Sequence, residues 1–230
     1  MSLNKQILIT FLLLIVTIAF FGLSSFDAQM QDEFFDFSSG AWMVDKQLEP
    51  YKFIFYTGLK KAIILVGVGI LFFAIYAKVT GKFKRYYKGL LIVVLSSILV
   101  PVVVGGLKKT TNMPCPHAEM RYGGEVLEHV PVWERYTDAN RPADHKECWP
   151  AGHASGGFAL LSLFFLFQRR RNKIIALGMA LTVGWTMGVY KMLVGDHFFS
   201  HTMITMVLAW LLVLLSAKFA DKIFASKQEV

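Results

Sequence analysis

The chain has 230 residues, of which 55% are hydrophobic and 17% charged, with a mean hydropathy of +0.49. A soluble domain is about 45–50% apolar, so the composition excludes a soluble globular fold and points to an integral membrane protein of one domain. The net charge of +8 does not call for nucleic acid, because the basic residues sit in short loops between apolar runs rather than on one amphipathic face.

Six stretches approach the ~20 apolar residues that cross a bilayer. The predicted fold is therefore all-α, a polytopic bundle of six transmembrane helices formed by residues 1–230 as a single domain. The first stretch, Ile7 to Leu23, follows Lys5. Its apolar run exceeds the ~7–15 residues of a secretory signal, and Phe20-Phe21-Gly22-Leu23-Ser24-Ser25 offers no small-x-small cleavage site, so it reads as a helix that stays in the membrane. Residues 25–60 then form an outer segment in which acids alternate with aromatics, among them Phe34, Phe35, Phe37, Trp42, Tyr51 and Tyr56. Such a segment is either an interfacial amphipathic helix or lid lying on the membrane, or a packed aromatic loop.

The second and third spans are Ala62 to Ala77 and Leu90 to Leu107, and Pro101 should kink or loosen the third. Residues 108–150 hold Pro114, Pro116, Pro131, Pro142 and the pair Gly123-Gly124, and so form an irregular outer loop. The remaining spans are Gly156 to Phe167 (extended back through His153), Ile174 to Leu193, and Thr202 to Phe219.

Orientation follows from charge. Lys5, the group Lys78 to Lys88, the run Arg169, Arg170, Arg171 and Lys173, and the tail lysines all fall on one side under a six-helix count. The positive-inside rule then places both termini in the cytoplasm of a bacterial-type inner membrane, with the acidic segments and all six histidines outside. Cys115 and Cys148 bracket the outer loop, and on the oxidising side of the membrane they are expected to form a disulfide. Two free thiols, or half of a metal site, are the alternatives.

The outer helix ends carry the chemistry. The third span ends at Lys108 and Lys109. The fourth opens on the turn Pro150-Ala151-Gly152-His153, the fifth ends at Lys191, and the sixth begins at His201 just after Asp196 and His197. Ionisable residues at membrane depth cost ~2.5–3.5 kcal/mol each on insertion scales, so a cluster of them is a functional-site hypothesis. Lysines and histidines facing one pocket ask for an anion. Phosphoryl transfer suits them: one imidazole attacks phosphorus, cations and backbone N–H groups neutralise the oxygens, and a second imidazole protonates the leaving oxygen. No cofactor or metal is required. Cys115, His117, Cys148 and His153 are a poorly spaced alternative set of metal ligands, and His117, His129 and His145 read as solvated loop residues.

Lys108-x6-Cys115-Pro116, Pro150-Ala151-Gly152-His153 and Lys191-x5-His197-x3-His201 resemble, in order and spacing, the three signature motifs of the type 2 phosphatidic acid phosphatase (PAP2) superfamily, K-x6-RP, PSGH and SR-x5-H-x3-D. The segment Gly195-Asp196-His197-Phe198-Phe199-Ser200-His201 is also similar to the GGHFFSD-type segment of bacterial lipid A phosphatases. The resemblance implies a metal-independent lipid phosphatase with His197 as the nucleophile, His153 as the general acid, and His201 in the place of the orienting aspartate. It also implies that Lys108 and Lys191 hold phosphate oxygens with help from the N–H groups of Ala151 and Gly152. The chain departs from the motifs at Cys115, where Lys109, Arg121 or Arg141 would have to supply the missing cation, and at Tyr190, Lys191 and His201. Lysine offers a point charge without the bidentate fork of arginine.

The expected substrate is a membrane lipid phosphate or diphosphate such as lipid A, undecaprenyl diphosphate or phosphatidylglycerol phosphate; no protein partner can be inferred. A phosphotransferase between lipids, or a degenerate relative that binds lipid head groups without turnover, are the alternatives. A neutral nucleophile and a protonated acid predict a bell-shaped pH dependence.

Overall fold

The computed structural model describes residues 1–127, 130–134, 136–137 and 144–226. Long apolar runs become long helices. Helix α1 (Leu3–Leu23) starts at Ser2, whose hydroxyl accepts the Lys5 N–H. After the outer segment comes α3, whose π-helical turn Phe53–Thr57 runs straight into the α-helix Gly58–Thr80 and stops at Gly81 in the left-handed region, φ +69°. Helix α4 (Tyr87–Thr110) runs unbroken through Pro101. Beyond the outer loop lie α5 (Gly152–Ala159), a 3-10 turn (Leu160–Ser162), α6 (Leu163–Leu166), α7 (Arg170–Leu193) and α8 (Phe199–Ser226).

Among the described residues, five helices are long and apolar enough to cross a membrane: α1, α3, α4, α7 and α8. The expected fourth span is the shorter Gly152–Leu166, which at about 1.5 Å per residue reaches roughly 22 Å against the ~30 Å of a hydrocarbon core. The turn at Pro150 and the Gln168-Arg169-Arg170 group leave only Ala151 and Phe167 with which to lengthen it.

Helix α8 is the most buried of the long helices, with α1, α4 and α5 against it. Lipid tails give apolar helices no drive to separate from lipid, so close backbone approach has to hold them together. A Cβ on Gly157 of α5 would stand 2.7 Å from the Gly184 Cα of α7, and Gly184 in turn lies under the Phe158 ring. Gly188 of α7 faces Thr202 of α8 in the same way. Val100, Val104, Phe158, Ala180, Ala209 and Val213 fill the core between these crossings.

The segment between α1 and α3 is packed onto the rest of the chain. It forms a short helix, α2 (Phe26–Asp32), and a small antiparallel hairpin of β1 (Phe35–Asp36) and β2 (Ala41–Trp42) in which Phe35 opposes Trp42. Phe35 and Trp42 join Tyr122 and Phe198 in one aromatic cluster. Two buried polar residues of α2 close helix ends far away in sequence. Asp27 accepts the Ser200 N–H at the start of α8 (2.8 Å), and Gln31 Nε2 donates to the Met192 carbonyl at the end of α7 (2.9 Å). Those terminal groups have no partner within their own helices, so α2 fixes both sides of the α7–α8 connection.

The outer loop is zipped where its ends meet. Cys115 and Cys148 form the expected disulfide, with Cα atoms 5.2 Å apart. Met113 bridges Glu147, the Cys148 N–H reaches the Met113 carbonyl at 3.1 Å, and the Thr111 hydroxyl donates to the Trp149 carbonyl at 2.7 Å.

Gly157→Ala is expected to lower stability in detergent by ~1–3 kcal/mol through overpacking. Gly178→Ala, on the same α7 but facing open space, should be neutral or stabilising; equal thermal unfolding of the two variants would refute close packing at Gly157. Replacing both cysteines by serine closes no loop across their separation of 33 residues and should cost about 3–4 kcal/mol. Calorimetry of the variant against the wild type reads this directly.

Candidate active site

Four helix ends meet on one side of the bundle. They are the C-terminal turns of α4 and α7 and the N-terminal turns of α5 and α8, with residues 194–198 between the last pair. The α7–α8 turn is tight because the N–H groups of Asp196 (2.8 Å) and His197 (3.2 Å) both donate to the Lys191 carbonyl. Gly195 makes this possible at φ +72°, and the Trp42 ring lies where any Cβ would stand. The His117 N–H reaches the Gly195 carbonyl at 3.0 Å and its ring Nδ1 lies 2.9 Å from the same oxygen, so His117, an exposed loop residue as expected, also braces this turn.

His197 is 2% exposed. Its Nδ1 lies 3.4 Å from Nδ1 of His201, one helical turn on, while its Nε2 has no hydrogen-bond partner among the described residues. Burial, followed by the charges of Lys108, His153 and Lys191, holds the His197 pKa well below the ordinary histidine value; a hydrogen bond with the Cys148 carbonyl opposes them. The His153 ring centroid is 6.1 Å from that of His197. His153 Nε2 is 2.6 Å from the Tyr56 hydroxyl, and its buried Nδ1 has no partner among the described residues.

The cations are arranged about one carboxylate. Lys191, 4% exposed, places Nζ 2.7 Å from Asp196 Oδ2 and 4.1 Å from the centre of the Tyr56 ring. Lys46, from the outer segment, reaches Asp196 Oδ1 at 2.7 Å. Burial raises the Asp196 carboxyl, but the bonds from Lys191 and Lys46 outweigh it and keep the group below the ordinary carboxylate value. Asp196 is thus a counter-ion for lysines and does not orient His197. Lys108 lays its side chain along Gly152, whose Cβ would stand 3.2 Å from Lys108 Cδ.

Of the residues expected in the site, His153, His197, His201, Lys108, Lys191 and Gly152 come together. The Ala151 N–H does not face an anion seat: it donates to the His201 carbonyl at 3.2 Å, stitching α5 to α8. Lys109 is exposed, and its carbonyl faces His145 Nε2 at 3.2 Å. Arg121 is held by Asp32 at 2.8 and 2.5 Å, so it does not supply the cation missing at Cys115. Arg141 and His129 lie outside the described residues. The disulfide removes both thiolates from the alternative metal set, and no group of three potential ligands exists among the described residues. Tyr56 and Lys46 were missed. Nothing in local spacing distinguishes Tyr56 from the other aromatics of its segment, or Lys46 from a surface lysine.

The arrangement offers an imidazole nitrogen without a partner, a second imidazole beside it, and buried or half-buried ammonium groups, which together suit attack on a phosphate. A search of curated proteins and one of solved structures gave no significant match. A family model described as the PAP2 superfamily matches residues 89–225, from the start of α4 almost to the end of α8. Since the match covers more than half of its length and every motif residue above, the chain belongs to the PAP2 superfamily, whose members are phosphatases.

Proposed function

We propose that the chain removes phosphate from a lipid phosphate or diphosphate at the outer face of a bacterial-type cytoplasmic membrane, through a phosphohistidine formed on His197. The observation that carries this reading is the Nε2 of buried His197, which has no partner among the described residues, with the His153 ring 6.1 Å away and Lys108 and Lys191 beside both. The neighbours of His197, His201 and the Cys148 carbonyl, can accept a hydrogen bond from Nδ1–H, which keeps the proton on Nδ1 and leaves the Nε2 lone pair for phosphorus. His201 thereby does part of the work of the missing aspartate, without its charge.

In the first step Nε2 bonds to phosphorus, the phosphorus–oxygen bond to the lipid breaks, and His153 protonates the departing oxygen. In the second, water attacks the phosphohistidine, His153 takes its proton, and the nitrogen–phosphorus electron pair returns to His197. Lys108, Lys191 and the Gly152 N–H at the opening of α5 are the groups placed to hold the phosphoryl oxygens. A lipid substrate is supported by an apolar cavity of about 290 Å³ between α3, α4 and α5, lined by Ile63, Gly67, Pro101 and Gly156 among others. Gly156 lies one helical turn from His153. The face is supported by the arginines and lysines gathered at the opposite helix ends.

Purified wild type in detergent should release inorganic phosphate from one or more of lipid A, undecaprenyl diphosphate and phosphatidylglycerol phosphate, and His197→Ala should lose at least about 10³-fold in kcat. Equal phosphate release by the two proteins would reduce the chain to a binder of lipid head groups, whereas phosphate recovered on a second lipid would make it a phosphotransferase.

The lowered pKa of His197 has a definite sign. Its charged form is disfavoured, so the ring stays neutral and able to attack as the pH falls through the ordinary histidine value of 6.5. Spectra of ¹⁵N-histidine-labelled protein should show His197 neutral from about pH 8 to about pH 6, and a midpoint at or above 6.5 would contradict this environment.

A further inference from the structure

We infer that Tyr56 is the positioning residue of the general acid: its hydroxyl accepts the Nε2–H of His153 and leaves Nδ1 as the nitrogen that gives and takes the proton. The inference rests on the phosphatase reading above. It concerns a residue outside 89–225, the part of the chain shared with the family model.

Tyr56 belongs to the π-helical turn Phe53–Thr57 at the mouth of α3, and single π turns inside helices are frequent at functional sites. Its hydroxyl lies 2.6 Å from His153 Nε2, and the two rings meet edge to face at 4.8 Å. His153 therefore has one nitrogen tied to the protein and one, Nδ1, that is buried with no partner among the described residues. A buried imidazole nitrogen without a partner is costly unless something arriving later completes it. The leaving oxygen of the substrate is that group.

The phenol oxygen accepts a hydrogen bond whether His153 is neutral or protonated, so Nε2 keeps its hydrogen throughout the cycle. Nδ1–H then passes its proton to the oxygen that leaves phosphorus, and Nδ1 recovers one from the water that attacks the phosphohistidine. The balance is lipid phosphate plus water going to lipid alcohol plus inorganic phosphate, with His153 and Tyr56 unchanged. A carboxylate behind a catalytic histidine holds the tautomer in the same manner, but a phenol does so without adding a charge that would compete with the phosphate for the lysines.

Tyr56 is itself held on two sides. The Lys191 ammonium sits over its ring at 4.1 Å, and Tyr190 stacks with it, centroids 6.3 Å apart and planes 16° from parallel. Tyr190 stands where the motif has serine. Its departure from the motif thus has a structural partner in a tyrosine that lies more than a hundred residues earlier.

The test is Tyr56→Phe, which keeps the ring and removes the hydroxyl. A lipid phosphate, whose alkoxide must be protonated as it leaves, should lose about tenfold or more in kcat with KM little changed. Para-nitrophenyl phosphate, whose leaving group needs no proton, should lose less than about twofold. In ¹⁵N-histidine spectra the wild-type His153 should carry its proton on Nε2, and Tyr56→Phe should redistribute it between the two nitrogens. Equal losses with both substrates, no loss with the lipid, or an unchanged His153 tautomer would each overturn the inference. If the wild type hydrolyses neither substrate, the phosphatase reading falls by itself, while the His153 spectra still decide whether Tyr56 sets the tautomer.

Discussion

A lysine inside an apolar bundle needs an anion beside it, because the alternative is an uncompensated buried charge. Lys191, at 4% exposure, meets this condition through Asp196 at 2.7 Å, and much of this end of the bundle is arranged around that pair. The pair closes the α7–α8 turn, with the Lys191 carbonyl taking the N–H groups of Asp196 and His197. That turn aims the His197 ring into the bundle. The second oxygen of Asp196 draws in Lys46 and thereby ties the outer segment to the site.

The same reasoning accounts for the outer segment. The ends of α7 and α8 leave backbone groups without helical partners, and Gln31 and Asp27 each bond one of them, Gln31 alongside the Gly195 N–H at the Met192 carbonyl. Trp42 covers Gly195, and Tyr56 reaches His153. This stretch thus covers the α7–α8 turn and brings side chains to His153 and Asp196.

The four departures from the family motifs also make sense together. Cys115, in the place of an arginine, pairs with Cys148 and joins the first motif to the second. Lys191 in place of the second arginine is coupled to Asp196, Tyr190 in place of serine stacks on Tyr56, and His201 in place of aspartate brings its ring to that of His197. Each change has a neighbour that matches it, and Lys46 and Tyr56, two of the residues involved in this matching, come from outside the motif-bearing half. At the second arginine position Lys191 keeps the charge and loses the bidentate fork, whereas at the first Cys115 keeps neither.

The sequence by itself determined the all-α membrane architecture, because runs of about twenty apolar residues have few other stable arrangements in lipid. It also identified His153, His197, His201, Lys108 and Lys191, which lie at helix ends with motif spacing, and the Cys115–Cys148 clasp at the two ends of one loop. Only the tertiary structure decided that the Ala151 N–H belongs to the His201 carbonyl, that Arg121 belongs to Asp32, that the fourth apolar segment is short, and that Tyr56 and Lys46 reach His153 and Asp196. The reason is the range of the interactions. Apolar periodicity and motif spacing act along the chain and can be read from it. A hydrogen bond between Tyr56 and His153, 97 residues apart, or an ion pair between Lys46 and Asp196, 150 apart, depends on how helices cross. Those crossings are set by contacts such as Gly157 against Gly184, which leave no local mark in the sequence.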